Sequence, residues 1–167
     1  MHSSQLIRLA GIVFIAMSFI VLGDTAGKLV MAVGADPFFV AWTRFAIAAL
    51  VMLPLCGLRR EELVIFTDWR VLLRGALISA GICCILTALR TEPIADVFGA
   101  FFIGPMVSFV LAIVILGERA TPARGVLLVM GFLGVLLVVK PGFGFSPGLG
   151  WALAAGVFYG TFLVTTR

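Results

Sequence analysis

The sequence predicts an all-α integral membrane protein with six transmembrane helices, on the evidence of its composition, its hydropathy and its six long apolar runs. Of 167 residues, 62% are hydrophobic and only 12% are charged, whereas a soluble domain carries about 25% charged residues. The mean hydropathy is +1.23, so a soluble surface and a disordered chain are both excluded. Six spans of roughly 20 residues also leave no room for a separate soluble catalytic domain.

Charged residues, glycine and proline separate the six runs. Each is long enough to cross a bilayer as a helix, which satisfies its own backbone hydrogen bonds, and none alternates polar with apolar residues as a barrel strand does. The runs cover residues 6–33, 38–58, 71–89, 94–116, 122–139 and 148–166.

The first run follows Arg8 and could be mistaken for a signal peptide, but it lacks a convincing small-x-small cleavage site and five more runs follow it. We therefore interpret it as a retained first helix that continues past Asp24 and Lys28. The second run begins after Asp36 and is interrupted only by Arg44.

The third run has one charge, Arg74, in its first turn, and the fourth has none between residues 97 and 116. Within the fourth run, Pro105 removes a backbone donor, which predicts a kink or a loosened turn. This is either a packing kink or a flexible point that lines a cavity.

The junction before the fifth run predicts a tight helical hairpin. Gly117 suits the left-handed residue that ends a helix. Thr121 can cap the next helix, and Pro122 suits its first position. We expect Glu118 to lie at the membrane interface near Arg119 or Arg124, as a structural pair that fixes the turn.

The sixth run is one of three helices in which small residues recur at helical spacing. Such spacing lets helices approach closely in lipid, and it predicts a packed bundle. The small residues are Gly23 and Gly27, Gly75 and Ser79, and Ala152, Gly156 and Gly160.

Lysine and arginine counting places the N-terminus in the cytoplasm. The odd junctions hold Arg8, Arg59, Arg60, Arg70, Arg74, Arg119, Arg124 and Arg167, and the even junctions hold Lys28, Arg90 and Lys140. The net charge of +4 is therefore a topology signal and not a surface for nucleic acid.

The sequence contains little that would support a metal site, a cofactor site or an enzyme active site. His2 is the only histidine, and Cys56, Cys83 and Cys84 have no metal-binding spacing. We expect no metal, no cofactor and no catalytic residue, because phosphate loops, nucleophile elbows and zinc-protease motifs do not occur in the sequence.

Charges inside the membrane point most directly to function, because they are costly in lipid and face a cavity or a partner. Arg44 lies deepest, roughly 12 Å along its helix from Asp36. Asp24 and Lys28 are four residues apart, so they share a face and we expect them to pair. With Asp96, these residues are predicted to cluster in the outer half of the bundle. They form either a salt-bridge network, or a site that binds a polar or zwitterionic solute or contains a proton-linked carboxylate.

Aromatic residues are candidates for the walls of the same cavity, although most of the 15 phenylalanines are expected to face lipid or core. The candidates are Trp42, Phe101, Phe102, Trp151 and Tyr159.

The order of these features resembles the EamA-type permeases of the drug/metabolite transporter superfamily. The resemblance covers residues 6 to 167 and rests on residues 90–96, on Phe101-Phe102 with Pro105, on residues 117–119, on the glycines and Lys140-Pro141-Gly142 ending of the fifth run, and on Lys28 and Arg44. The Gly23-Asp24 pair departs from the Trp/Asn-containing stretch of many members.

The resemblance implies an architecture and a function. Members have ten helices in two inverted five-helix repeats, so residues 1–140 correspond to one repeat and residues 141–167 to a loop and the first helix of a second. It implies a secondary transporter of the bacterial inner membrane that moves small metabolites by alternating access, such as S-adenosylmethionine-, riboflavin- or amino-acid-like solutes.

Three other assignments stay open on the sequence. The protein could export drugs or amino acids, or it could be a membrane assembly subunit that transports nothing. Alternatively, its six helices could work as a homodimer instead of as part of a ten-helix protein.

Overall fold

The computed structural model describes residues 3–57, 60–119, 121–139 and 146–166, and the elements in these ranges are helical. The ends of the helices lie within a few residues of those predicted, because charges, glycines and prolines mark them in the sequence. The elements are α1 (Ser3–Ala32), α2 (Pro37–Cys56), a 3₁₀-helix (Arg60–Thr67), α3 (Trp69–Thr91), α4 (Ile94–Phe101), α5 (Ile103–Leu116), α6 (Pro122–Val139) and α7 (Pro147–Thr165).

Five helical segments of the described chain are long and apolar enough to cross a membrane. They are Gln5–Ala32, Pro37–Cys56, Trp69–Thr91, Ile94–Leu116 and Pro147–Thr165. The apolar part of α6, Pro122–Leu137, is a shorter sixth segment. The prediction of an all-α membrane protein with six apolar helices is confirmed.

The fourth apolar segment is broken at Phe102, which separates α4 from α5. Pro105 has no amide hydrogen, so it cannot donate to the carbonyl of Phe101 one turn earlier. The amide of Phe102 still bonds to the carbonyls of Phe98 and Gly99, at 3.1 and 3.3 Å. The interruption that Pro105 predicted is therefore present, and it lies one turn before the proline.

Helix α7 packs against α3, α4 and α5. Both of its ends are held by polar side chains of α3 and the loop that follows it. Arg74 Nε donates to the carbonyl of Thr165 over 2.7 Å, and Ser146 Oγ lies 2.6 Å from Glu92 Oε1. Because the start of α3 meets the end of α7, the two helices are antiparallel.

Glycines allow the backbone of α7 to touch the α4–α5 break. A Cβ atom added to Gly160 would lie 2.5 Å from the carbonyl oxygen of Gly104, and one on Gly156 would lie 2.8 Å from that of Phe101. The predicted close approach is thus confirmed for Gly156 and Gly160. It is wrong for Gly75, where an added Cβ meets nothing within 4 Å.

The hairpin between α5 and α6 begins as predicted. Gly117 has a φ of +65°, and the amide of Glu118 bonds to the carbonyl of Ala112 over 3.2 Å. Pro122 is the first residue of α6, and the carbonyl of Thr121 accepts a bond of 3.0 Å from the amide of Arg124. Capping by the Thr121 side chain stays a prediction.

The buried core joins Met31 of α1 and Val40 of α2 to α3, α4 and α7. Its largest fully enclosed side chains are Leu86, Leu89 and Val97. By contrast, α1 is exposed along most of its length, including Phe14 and Phe19. His2, Arg59, Lys140 and Arg167, on which the metal and orientation predictions partly rest, lie outside the described residues.

Candidate functional site

An ion pair between α1 and α2 is the most deeply placed charged feature of the described chain. Arg44 Nη1 lies 2.6 Å from Asp24 Oδ1, and the Asp24 side chain is only 6% exposed while that of Arg44 is 32% exposed. Both residues lie about two helical turns from the α1–α2 connection. A Cβ atom on Gly23 would lie 3.1 Å from Arg44 Nη2, so the glycine gives the guanidinium room beside α1.

The predicted pairing of Asp24 with Lys28 is not formed. Lys28 Nζ instead donates a hydrogen bond to the backbone carbonyl of Glu92, at the end of α3. The long lysine side chain reaches along α1 toward the end of the bundle. Asp24 is turned toward α2, where Arg44 approaches it.

Glu92 also connects to the start of α7. Its carboxylate accepts a hydrogen bond from the hydroxyl of Ser146, and that hydroxyl accepts one of 3.2 Å from the amide of Leu149. Ser146 is thus the N-cap of α7, and a carboxylate at a helix N-terminus is electrostatically favourable. Neither Glu92 nor Ser146 was predicted from the sequence as a site residue.

A cavity of about 200 Å³ opens beside the ion pair. Asp24 and Arg44 supply its charged wall. Phe101 and Tyr159 supply an aromatic wall, with ring centroids 5.2 Å apart. The remaining lining residues are Ile20, Ile78, Gly81, Ile82, Ile85 and Phe98.

The isoleucines and Phe98 of this cavity were not predicted from the sequence. Ile78, Ile82 and Ile85 recur at the spacing of one helix face, which is a signal for a shared surface but not for a cavity. Phe98 is one of 15 phenylalanines and has no local feature that distinguishes it. Its ring meets that of Phe101 edge to face, with centroids 6.5 Å apart.

Asp96 does not join the cluster that the sequence predicted. It is half-buried in the first turn of α4 and makes no hydrogen bond or ion pair with any residue the structure describes. It does not line the cavity. A carboxylate in the first turn of a helix is favourable by itself, so the position of Asp96 needs no ligand to explain it.

The other predicted aromatic residues lie away from the ion pair. The ring of Phe102 points to α6, where a Cβ atom on Gly131 would lie 3.4 Å from its Cζ atom. Trp42 is 66% exposed and Trp151 is 49% exposed, so both belong to the outer surface and not to the cavity wall.

A second cavity, of about 820 Å³, lies further along α5 and α7. Pro105 and Leu163 line it, one helical turn beyond Phe101 and Tyr159 of the first cavity. The turn residue Glu118 and Arg124 of α6 line it as well, together with Ser108, Phe109, Leu127 and Leu128. The α4–α5 break and the glycine contacts of α7 therefore lie between two cavities.

This arrangement has features that suit the binding of a solute. A guanidinium that is one-third exposed keeps hydrogen-bond donors available to a polar group, and the aromatic wall offers a surface for stacking. No group of three metal-ligating side chains occurs within the described ranges.

Comparisons with known proteins agree with a membrane transporter. The EamA-like transporter family matches residues 8–140. A riboflavin transporter of Rhizobium johnstonii is 28% identical over 84% of the chain, which corresponds to 46% of its own length. An S-adenosylmethionine uptake transporter of Rickettsia prowazekii is 30% identical over 62% of the chain and 36% of its own length. The chain thus spans less than half of either relative, and no solved structure matches it.

Proposed function

The chain belongs to the EamA-like transporter family, and from this we propose that it is the substrate-binding first half of a secondary transporter for small metabolites in the bacterial inner membrane. The observation that carries the proposal is the Asp24–Arg44 pair, set into a cavity with aromatic walls. Charged groups within a membrane are retained where they serve a site, since they are costly elsewhere.

We place the boundary between two repeats at residue 140. Residues 1–140 form a first five-helix repeat, and residues 141–167 form a loop and the first helix of an inverted second repeat. The end of the family match at residue 140 and the share of the relatives that the chain spans support this division. A complete protein then has ten helices in two halves.

The unequal burial of α1 and α7 also supports the division. In this scheme both are the first helix of a repeat, and α7 packs on the third and fourth helices of the first repeat. By pseudo-symmetry, α1 packs on the corresponding helices of the second repeat. This accounts for the apolar side chains that α1 leaves exposed, such as Phe14 and Phe19. Alternatively, the exposed apolar face of α1 could be buried in a homodimer of six-helix chains.

The two cavities support alternating access. One lies beside the ion pair and the other beside Glu118 and Arg124, and the break at Phe102 separates them along the bundle. A helix that is interrupted by proline can bend at that point, because a backbone hydrogen bond is already missing there. Bending at Phe102 would open one cavity while it closes the other.

The aromatic wall suits solutes that carry a planar ring. The two relatives are named for riboflavin and S-adenosylmethionine, which share a planar heteroaromatic ring system joined to a polar chain. In this chain the ring would stack on Phe101 and Tyr159, and the polar chain would reach Arg44. Uptake is the direction we propose, with export as the competing direction.

Transport by the full-length protein in proteoliposomes tests the proposal. The proteoliposomes are loaded with unlabelled riboflavin or S-adenosylmethionine, and the accumulation of the same solute, added outside in radiolabelled form, is recorded as counterflow. We expect saturable counterflow of at least one of them, well above that of protein-free vesicles. Counterflow of neither solute, by protein shown to be folded, would contradict the proposed substrates, and folded protein that moves no solute of a broad metabolite panel would contradict transport.

A further inference from the structure

The Asp24–Arg44 pair has an unequal exposure that bears on how a solute binds. The Asp24 carboxylate is almost fully enclosed, while a third of the Arg44 side chain is open. Arg44 also lines an apolar groove of about 340 Å³ between α1 and α2, which is separate from the two cavities described above. Its guanidinium uses Nη1 for Asp24, and its other nitrogens make no hydrogen bond with any residue of the described ranges. An open edge of a guanidinium is a preferred partner of carboxylates, which it binds through two parallel hydrogen bonds.

On the basis of the proposed function, we propose that the transported solute carries a carboxylate, that this group displaces Asp24 from Arg44, and that Asp24 takes up one proton from the aqueous phase in exchange. Before binding, the site holds the Asp24 anion and the Arg44 cation. Afterwards it holds the solute anion, the Arg44 cation and a neutral Asp24 acid. One proton and one anion enter together, so both states of the site are neutral.

Proton uptake follows from the burial of Asp24. An enclosed carboxylate that loses its cation keeps the cost of desolvation and has nothing to offset it, so it gains a proton. Among the described residues no second cation lies at this point, because Lys28 is directed to the carbonyl of Glu92. The desolvation cost of an unpaired carboxylate is higher in a membrane interior than at a protein surface. This makes an Asp24 anion without Arg44 still less favourable.

The other elements around Asp24 offer few competing groups. From α2 the facing group is Arg44, and from α7 it is Tyr159, which lines the same cavity. From α3 the cavity is lined by isoleucines and a glycine, and from α4 by phenylalanines. Among the described residues, Asp24 is thus the carboxylate of this cavity, and proton exchange is assigned to it.

The size and walls of the cavity define the rest of the solute. About 200 Å³ of apolar and aromatic space accepts one small ring beside the carboxylate. The expected class is therefore an aromatic or heteroaromatic solute with a carboxylate on a short chain. S-adenosylmethionine has such a carboxylate and riboflavin has none, so the proposal separates the two relatives' namesakes.

Calorimetry on the full-length protein in detergent tests the exchange with two probes of the same shape. Phenylacetate carries the carboxylate, and phenylacetamide replaces it with a neutral amide. Titration in two buffers with different ionisation enthalpies counts the protons taken up. We expect phenylacetate to bind at least tenfold more tightly than phenylacetamide, with close to one proton taken up per molecule bound.

Three variants assign these effects to residues. Asp24→Asn should bind phenylacetate with no proton uptake, and Asp24→Glu, which keeps the charge, should retain the uptake. Arg44→Gln should lose the preference for phenylacetate, and Asp96→Asn, which alters a carboxylate outside the cavity, should change neither quantity. Equal affinity for the two probes would overturn the proposal, and so would phenylacetate binding without proton uptake in the unmodified protein.

The result is independent of the transport experiment above. Phenylacetate binding with proton uptake supports the exchange even if proteoliposomes carry neither riboflavin nor S-adenosylmethionine. Conversely, transport by protein that binds both probes equally leaves the transporter in place and removes the exchange.

Discussion

Arg44 Nη1 and Asp24 Oδ1 lie 2.6 Å apart and join α1 to α2, two helices that are otherwise only loosely packed together. Neutralising one partner leaves the other without its counter-ion in an apolar setting. Asp24→Asn should therefore lower the free energy of unfolding by about 1–3 kcal/mol, as should Arg44→Gln. Unfolding in mixed micelles with increasing SDS measures the change.

A double-mutant cycle isolates the pair from the rest of each side chain. The double variant should be less destabilised than the sum of the two single variants, by about 0.5–3 kcal/mol of coupling. Asp96→Asn is the matched control and should change stability by no more than about 0.5 kcal/mol. Additive losses would show that the two charges do not stabilise each other.

Gly160 and Gly75 provide a matched pair for testing the packing of α7. A methyl group at Gly160 collides with the carbonyl oxygen of Gly104, 2.5 Å away, whereas one at Gly75 meets open space. Gly160→Ala should destabilise the bundle by about 1–3 kcal/mol through overpacking. Gly75→Ala should be neutral or stabilising by up to about 1 kcal/mol, because alanine favours helix.

Equal effects in the two glycine variants would contradict the close contact of α7 with α5. The same SDS unfolding series measures both. A change at Gly160 should also alter transport, since the contact lies between the two cavities.

The start of α7 depends on Ser146. Its hydroxyl caps the helix and donates to Glu92 Oε1, so Ser146→Ala removes two hydrogen bonds. The expected loss is about 1–2 kcal/mol. Ser18→Ala is the control, since the Ser18 hydroxyl bonds within its own helix to the carbonyl of Phe14. A loss at Ser146 no larger than that at Ser18 would contradict the capping role.

Most of the fold could be predicted because its helix boundaries are marked by individual residues. Asp36, Gly117, Pro122 and Pro147 each begin or end a helix close to where the sequence places it. The break before Pro105 was also predictable, since a missing amide affects a carbonyl one turn earlier. These are local effects, which the sequence records directly.

The site was predictable only in part, because its contacts join different helices. The spacing of Asp24 and Lys28 shows that they share a face, but α2 and α3 determine their partners. Arg44 forms an ion pair with Asp24, and Lys28 donates a hydrogen bond to the carbonyl of Glu92. The spacing of residues within one helix does not show which residue of another helix each side chain will contact. For the same reason, the sequence did not predict that Phe98 lines the cavity or that Trp42 lies on the outer surface.

The orientation that the basic residues predict can be tested by cysteine labelling. After Cys56, Cys83 and Cys84 are replaced by alanine, Val64→Cys and Val33→Cys each present one exposed thiol. With a cytoplasmic N-terminus, a membrane-impermeant maleimide should label position 33 in intact spheroplasts. It should label position 64 only after permeabilisation, and the reverse pattern would overturn the orientation.

The measurement that tests the central claim most directly is transport by Arg44→Gln beside Asp96→Asn in the full-length protein. Both variants remove one charge, but of these two residues only Arg44 lines the cavity. The variants are compared with equal amounts of folded protein in proteoliposomes. Arg44→Gln should lower the initial rate of solute uptake by at least tenfold, because a charge-assisted hydrogen bond contributes about 1.5–3 kcal/mol. The uptake rate of Asp96→Asn should stay within about twofold of that of the unmodified protein. Uptake by Arg44→Gln at the rate of the unmodified protein would contradict the assignment of this cavity as the binding site.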